Sequence, residues 1–152
     1  YRGTHPSLEL DAEALSDDGT AVVERALAFV ENHRHAAPLV FSTADPSAVA
    51  AAQAQHGAVV LADRFDQFFA TLAKEAVANG FRRIVVAGGE TSGAVATALG
   101  RGPMRIGPEI DTGVPVLILD GPPRLLLVLK SGNFGAEGFF ESALSVLKGS
   151  DR

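Results

Sequence analysis

Two short glycine-rich stretches contain the residue types that bind phosphate. The first, GGETSG at residues 88–93, follows the β-branched run 84–86 and precedes an Ala/Val/Leu segment of helical composition. A strand, a glycine turn and a helix in this order point backbone N–H groups and a helix N-terminus at an anion. The second, KSGNFG at residues 130–135, also links an apolar run to a helical segment. We therefore expect both turns to contribute to one phosphate site.

The first turn does not match the standard phosphate motifs. The P-loop pattern needs Lys and then Ser or Thr after its second glycine, but Ala94 and Val95 follow Gly93. The Rossmann fingerprint needs glycines at its first, third and sixth positions, and here they stand at the first, second and sixth. An ordinary β–α turn with Thr91 as the helix N-cap therefore remains a structural alternative.

The residues of the first turn suit different tasks. Gly88 and Gly89 allow a ligand to approach the backbone closely and tolerate positive φ. Thr91 or Ser92 can cap the helix or donate a hydrogen bond to a phosphate oxygen. Glu90 could bind a nucleotide-bound Mg²⁺ through a water molecule, or it could accept a hydrogen bond from the ribose or the base.

The second turn supplies a positive charge. Lys130 can neutralise phosphate charge as a point charge on a flexible stem. Ser131 follows it, Gly132 and Gly135 leave room for a ligand, and Asn133 tolerates left-handed backbone geometry. The structural alternative is a tight turn with Lys130 merely exposed at the end of its strand.

Two carboxylates in a Gly/Pro-rich segment are weaker candidates. Glu109 and Asp111 stand two residues apart and could face a metal or a ligand. Carboxylates in such loops are more often solvated or bonded to nearby backbone N–H groups.

Apolar periodicity and turn signals define the elements around these turns. They predict helices at 21–35, 48–55, 63–79, after the first turn up to residue 100, and at 136–147, with strands at 39–41, 84–86, 116–119 and 124–130. Residues 1–10 are expected to form an extended lead-in. Residues 59–61 fit either a strand or the start of a helix, and residues 101–115 fit an irregular excursion around a short strand near 104–106.

Alternating strands and helices predict an α/β fold, a three-layer α/β/α arrangement with a parallel or mixed central sheet. Both glycine turns then lie at carboxyl ends of strands, where open α/β sheets bind ligands.

Composition excludes several classes of protein. The 152 residues carry 13 basic and 18 acidic side chains, a net charge of −5, without a basic block. We therefore expect no nucleic-acid partner. Cysteine is absent, which excludes disulfides and thiolate metal sites. The longest apolar run, 125–129, is too short to cross a membrane. We expect a cytoplasmic protein without a membrane partner.

Three ordered segments, GGETSGAV, RIGPEIDTGVP and LKSGNFGAEGFF, resemble a known family. The sequence is similar, from about His5 onward, to the C-terminal nucleotide-binding domain of the four-carbon acid sugar kinases. This group was long described only as a domain of unknown function, and some relatives carry an older label as type III effector, Hrp-dependent outer proteins. The resemblance implies an ATP-dependent kinase that uses Mg²⁺ and phosphorylates erythronate, threonate or their 3-oxo forms. It also implies that both turns hold ATP, through Gly88, Gly89, Glu90, Thr91, Ser92 and Gly93 and through Lys130, Ser131, Gly132, Asn133 and Gly135.

The resemblance further implies a longer parent polypeptide. Members of the family begin with a separate substrate domain and a Gly-Ser-Cys-Ser-like strand and turn, and neither occurs in this sequence. We expect residues 1–152 to form the nucleotide-binding domain, with the sugar acid and the catalytic base on a missing N-terminal domain. Whether the protein forms a homo-oligomer stays open. Two alternatives remain: a non-enzymatic interaction or effector module on the same fold, and a dinucleotide-dependent oxidoreductase, which the glycine spacing disfavours.

Overall fold

The computed structural model describes residues 1–10, 15, 19–42, 58–100, 102–132 and 135–149. In chain order its elements are β1 (Ser7–Glu9), α1 (Gly19–Asn32), β2 (Leu39–Phe41), α2 (Ala58–Ala78), β3 (Arg83–Ala87), α3 (Gly89–Leu99), β4 (Arg105–Asp111), β5 (Val114–Leu119), β6 (Leu125–Lys130) and α4 (Phe139–Gly149).

A four-stranded mixed sheet in the order β3-β6-β5-β4 forms the centre of the fold. Strands β3 and β6 are parallel, whereas β5 runs antiparallel to both β6 and β4. Strand β6 lies between two hydrogen-bonded neighbours, and its residues 125–128 are buried. An almost unbroken apolar run is the expected composition of a strand that is covered on both faces.

Helices cover both faces of this sheet. Leu126 and Val128 of β6 pack with Phe139, Ala143 and other residues against α4. The alternate residues of the strand, Leu125 and Leu127, pack on the opposite face against α2 and α3. This alternation follows from the two-residue period of a strand. The predicted three-layer α/β/α architecture with a mixed sheet is therefore confirmed.

A smaller unit packs against the outer side of α2. Strands β1 and β2 pair in parallel in a separate two-stranded sheet, with Leu8 opposite Val40. Leu10, Val22 and Ala26 contact Phe68 and Leu72 of α2 in a third apolar cluster. The partly buried ring of Phe69 contacts both this cluster and the one beneath α3, so α2 joins the two parts.

Several predicted boundaries differ from the structure. Residues 7–9 of the predicted lead-in form a strand, because β2 offers them a partner. Residues 59–61 belong to the first turn of α2, which begins five residues before the predicted helix. The short strand predicted near 104–106, within the excursion at 101–115, is the beginning of the seven-residue strand β4. The predicted helix at 48–55 lies outside the described residues.

Strand β4 explains how a Gly/Pro-rich segment can be extended. It lies at the edge of the sheet, where Pro108 removes no donor that a second neighbour needs. Its pairing with β5 shifts register near residues 106–111, where Gly107 packs against Ile118. Among the described residues, no helix combines the length and apolar character needed to cross a membrane.

Candidate nucleotide site

The first glycine turn presents an open helix N-terminus. Helix α3 has Gly88 as its N-cap residue, with φ 123° and ψ 130°, and no side-chain hydrogen bond caps it within the described part of the chain. The first backbone hydrogen bond of the helix runs from Ser92 N–H to the Gly88 carbonyl over 2.9 Å. The amides of Gly89, Glu90 and Thr91 therefore lack intrahelical acceptors and can meet an anion.

The second turn adjoins the first because β3 and β6 are neighbours. Ala87 pairs with Lys130 at the carboxyl ends of the two parallel strands. The Gly88 N–H donates to the Lys130 carbonyl over 2.9 Å, so the two turns are hydrogen-bonded where they begin. The structure thus brings together residues 88–93 with residues 130–132 and 135. Asn133 lies outside the described residues.

The faces of α3 separate its residues into two groups. Ser92 is 6% exposed and lies on the core side with Val95 and Leu99, and its Oγ has no hydrogen-bond partner among the described residues. Gly89 and Gly93, four residues apart, lie on the exposed side. The exposed surface at the helix start is therefore backbone, which favours contacts through N–H groups.

The Thr91 side chain does not cap the helix. Its hydroxyl donates to Asp66 Oδ1 of α2 over 2.8 Å. The interpretation of Thr91 as the N-cap residue is therefore wrong, because Gly88 holds that position and a carboxylate from another helix holds the hydroxyl. Sequence reasoning missed this contact. The only feature of the sequence that hinted at this contact was a carboxylate, Asp66, beside the apolar stripe of α2.

Lys130 lies over its own turn. Its ammonium group donates to the Gly132 carbonyl over 2.9 Å and is 6.0 Å from the centroid of the Phe139 ring. Gly135, with φ +94°, packs against the same two side chains: an added Cβ would be 2.9 Å from Lys130 Cε and from Phe139 Cδ2. The space at Gly135 is thus filled by protein, whereas an added Cβ at Gly132 would meet no atom within 4 Å.

The carboxylates of the β4–β5 hairpin bind backbone amides. Glu109 Oε1 accepts from the Gly113 N–H over 2.7 Å. Asp111 accepts from its neighbour Thr112 over 2.7 Å and from Ala136, just after the second turn, over 2.8 Å. Asp111 therefore ties the hairpin to the segment that leads into α4. These two N–H groups hold the pKa of the Asp111 carboxyl below its ordinary value, with Ala136 as the larger cause.

The hydrogen bond between Asp111 and Ala136 is expected to weaken at a pH below the ordinary pKa of an aspartate. Because the pKa is lowered in the folded state, the stabilisation is present above the unfolded value of about 3.9 and is lost as pH falls through the folded value. The amide proton resonance of Ala136 should titrate with a midpoint below about 3.9 in an acid series of ¹H–¹⁵N spectra. Asp111→Asn should abolish that titration, and a midpoint at or above the ordinary value would contradict the assignment.

The residues present fit the phosphates of a nucleotide. They supply three amides without intrahelical acceptors, a lysine at the adjoining turn and an exposed glycine surface. Glu90 is exposed in the first turn of α3, where a carboxylate also interacts favourably with the helix dipole. No group of three or more His, Asp or Glu side chains in the described ranges could hold a metal ion.

Comparison with protein families identifies the class. The chain belongs to the family of nucleotide-binding C-terminal domains, whose pattern matches residues 1–140. A crystal structure of a Haemophilus influenzae protein from the DUF1537 family has the same fold. It superposes with a TM-score of 0.87 at 34% identity and covers 95% of this chain and 35% of that one.

Two relatives share one particular name, 3-oxo-tetronate kinase. The protein of that name from Methylobacterium radiotolerans is 47% identical over 144 residues, which cover 93% of this chain and 34% of the relative. The one from Cupriavidus necator is 47% identical over 145 residues, which cover 95% of this chain and 33% of the relative. This chain therefore spans about a third of the length of the curated relatives it matches.

Proposed function

We propose that this chain is the ATP-binding domain of a kinase that phosphorylates four-carbon sugar acids of the 3-oxo-tetronate type. The observation that carries the proposal is the hydrogen bond from Gly88 to Lys130, which joins two glycine turns at the ends of adjacent parallel strands. The family match and the names of the relatives support the same activity. A separate part of the parent protein would present the sugar acid, since this chain spans only a third of those relatives.

The chain's own residues would bind and orient the phosphates. The amides of Gly89, Glu90 and Thr91 point from the helix start and would donate to phosphate oxygens. Lys130 would exchange its bond to the Gly132 carbonyl for a phosphate contact, adding positive charge. Glu90 would accept from a water on Mg²⁺. ATP, when bound, supplies the γ-phosphoryl group, and catalysis of its transfer is mostly positioning and charge stabilisation.

Mg-ATP is expected to stabilise the folded chain. Binding at a concentration of one hundred times Kd adds about 2.7 kcal/mol to the free energy of unfolding. A thermal melt with millimolar Mg-ATP should show a higher Tm, and the amide resonances of residues 88–93 and 131–132 should shift. An unchanged Tm and spectrum would contradict nucleotide binding, while a preference for NAD over ATP would favour the oxidoreductase alternative.

Gly93→Val tests whether the exposed glycine surface is the binding surface. A Cβ at Gly93 would meet no heavy atom within 4 Å, so the variant should fold with a Tm close to that of the wild type. A side chain on a helix leans toward the N-terminus, and a valine here would lie over Gly89 and the free amides. We expect at least a tenfold loss of Mg-ATP affinity by calorimetry, which corresponds to about 1.4 kcal/mol.

Gly19→Val is the matched control for this variant. Gly19 begins α1, which packs against α2 and β2, and a Cβ there also meets nothing within 4 Å. It should bind Mg-ATP like the wild type. If Gly93→Val bound equally well, the phosphate role of this turn would be contradicted.

A further inference from the structure

We propose that Asp66, on α2, is a positioning residue for the nucleotide turn. By accepting a hydrogen bond from the Thr91 hydroxyl, it holds the start of α3 in the conformation in which its free amides meet phosphate. The inference rests on the proposed function, because it concerns how well the turn is organised before the nucleotide arrives.

The contact joins two elements that are distant in sequence. Thr91 Oγ1 lies 2.8 Å from Asp66 Oδ1, in a partly buried setting, across a separation of 25 residues. The same Oγ1 is 3.5 Å from the place where a Cβ on Gly88 would stand, so the threonine side chain also covers the N-cap residue. Thr91 thus bridges the backbone of the turn to a neighbouring helix.

The hydrogen bond restricts what Thr91 can do for a nucleotide. A hydroxyl can donate one hydrogen bond, and here it donates that bond to Asp66. Phosphate oxygens accept hydrogen bonds, so in this geometry Thr91 can offer them only its backbone N–H. The side chain therefore acts on the ligand indirectly, through the placement of that amide.

The turn needs such support because its other constraints are few. Its N-cap residue is a glycine at φ 123°, and no side chain in the described residues caps the helix. Within the described ranges, two backbone hydrogen bonds hold the turn, from Gly88 N–H to the Lys130 carbonyl and from Ser92 N–H to the Gly88 carbonyl. Glycine is conformationally permissive, so a side-chain anchor reduces the ordering that binding would otherwise require.

A carboxylate near bound phosphate repels it, so the useful property of Asp66 should be its acceptor oxygen. Asparagine keeps an acceptor at the same place without the charge. This difference separates a positioning role, which asparagine preserves, from a metal-binding role, which depends on the charge.

Calorimetric Kd values for Mg-ATP at fixed free Mg²⁺ test the proposal on the 152-residue chain. Asp66→Ala and Thr91→Val should each weaken binding about three- to tenfold, the range of one lost hydrogen bond. The double variant should be no weaker than the worse single variant, because both remove the same contact. Asp66→Asn and Thr91→Ser, which keep acceptor and hydroxyl, should stay within about twofold of the wild type.

Asp63→Ala, at an exposed position one turn earlier on α2, is the matched control and should leave Kd unchanged. If Asp66→Ala lowered Tm but bound Mg-ATP with the wild-type Kd, the contact would be structural only and the inference would be overturned while the proposed function stood. Equal losses in Asp66→Asn and Asp66→Ala would also overturn it, in favour of a charge-dependent role. A wild-type chain without saturable Mg-ATP binding would overturn the proposed function, and the positioning role with it.

Discussion

Truncation of Leu127 to alanine is expected to lower the free energy of unfolding by about 2–5 kcal/mol. Leu127 is 0% exposed at the centre of β6, and it packs with Val95, Leu99 and other residues beneath α2 and α3. Hydrogen bonds to β3 and β5 hold its strand on both sides, so the backbone cannot move in to fill the cavity. Urea unfolding followed by circular dichroism measures the loss, and Tm should fall by roughly 4–20 °C.

Ile106→Ala is the matched control on the same sheet. Ile106 lies on the edge strand β4 and is 70% exposed, so its truncation removes little buried area. The loss should stay below about 1 kcal/mol, the span of β propensity. Similar losses of unfolding free energy at Leu127 and Ile106 would mean that the core does not lie between the sheet and helices α2 and α3.

Gly135→Ala should disturb both the fold and the proposed nucleotide site. At φ +94° any L side chain is strained, and the new Cβ would lie 2.9 Å from Lys130 Cε and from the buried ring of Phe139. We expect a loss of about 2–4 kcal/mol in unfolding free energy, from backbone strain and overpacking together. Lys130 must also move from its place over the turn, so Mg-ATP affinity should fall in the fraction that remains folded.

Gly132→Ala separates strain from crowding in the same turn. Gly132 also has a positive φ, +47°, but a Cβ there would meet nothing within 4 Å. Its expected loss is the left-handed backbone penalty alone, about 1–2 kcal/mol. If Gly135→Ala were no more destabilising than Gly132→Ala by urea unfolding, the packing of Gly135 against Lys130 and Phe139 would be contradicted.

Long periodic segments of the sequence predicted their elements well. The apolar stripe at 63–79 corresponds to α2, and the run at 124–130 to β6, because both patterns record which face is buried. Strand β1 escaped prediction because Ser7–Glu9, unlike the apolar run at 39–41, contains a single apolar residue, and only its pairing with β2 defines it. The sequence predicted only the beginning of strand β4, as a short strand near 104–106, because Gly107 and Pro108 are typical of turns. They are tolerated in this strand because it lies at the edge of the sheet.

For the candidate site, local sequence indicated the two glycine turns but not the partners of their side chains. The positive φ of Gly88 and the order of strand, turn and helix follow from short-range sterics that glycine-rich sequence reveals. The sequence does not indicate that Lys130 donates to the Gly132 carbonyl, with its ammonium group 6.0 Å from the centroid of the Phe139 ring. A side chain's partner is set by packing, which sequence patterns record poorly.

The sequence by itself therefore determined the α/β layering, the buried strand β6 and a pair of glycine turns at strand ends. These features depend on apolar periodicity and on backbone conformations that a few residue types allow. Only the tertiary structure decided that the turns adjoin, since this requires β3 and β6 to pair in register. It also decided that Thr91 donates to Asp66 rather than capping its helix, because α2 places an acceptor 2.8 Å from the hydroxyl.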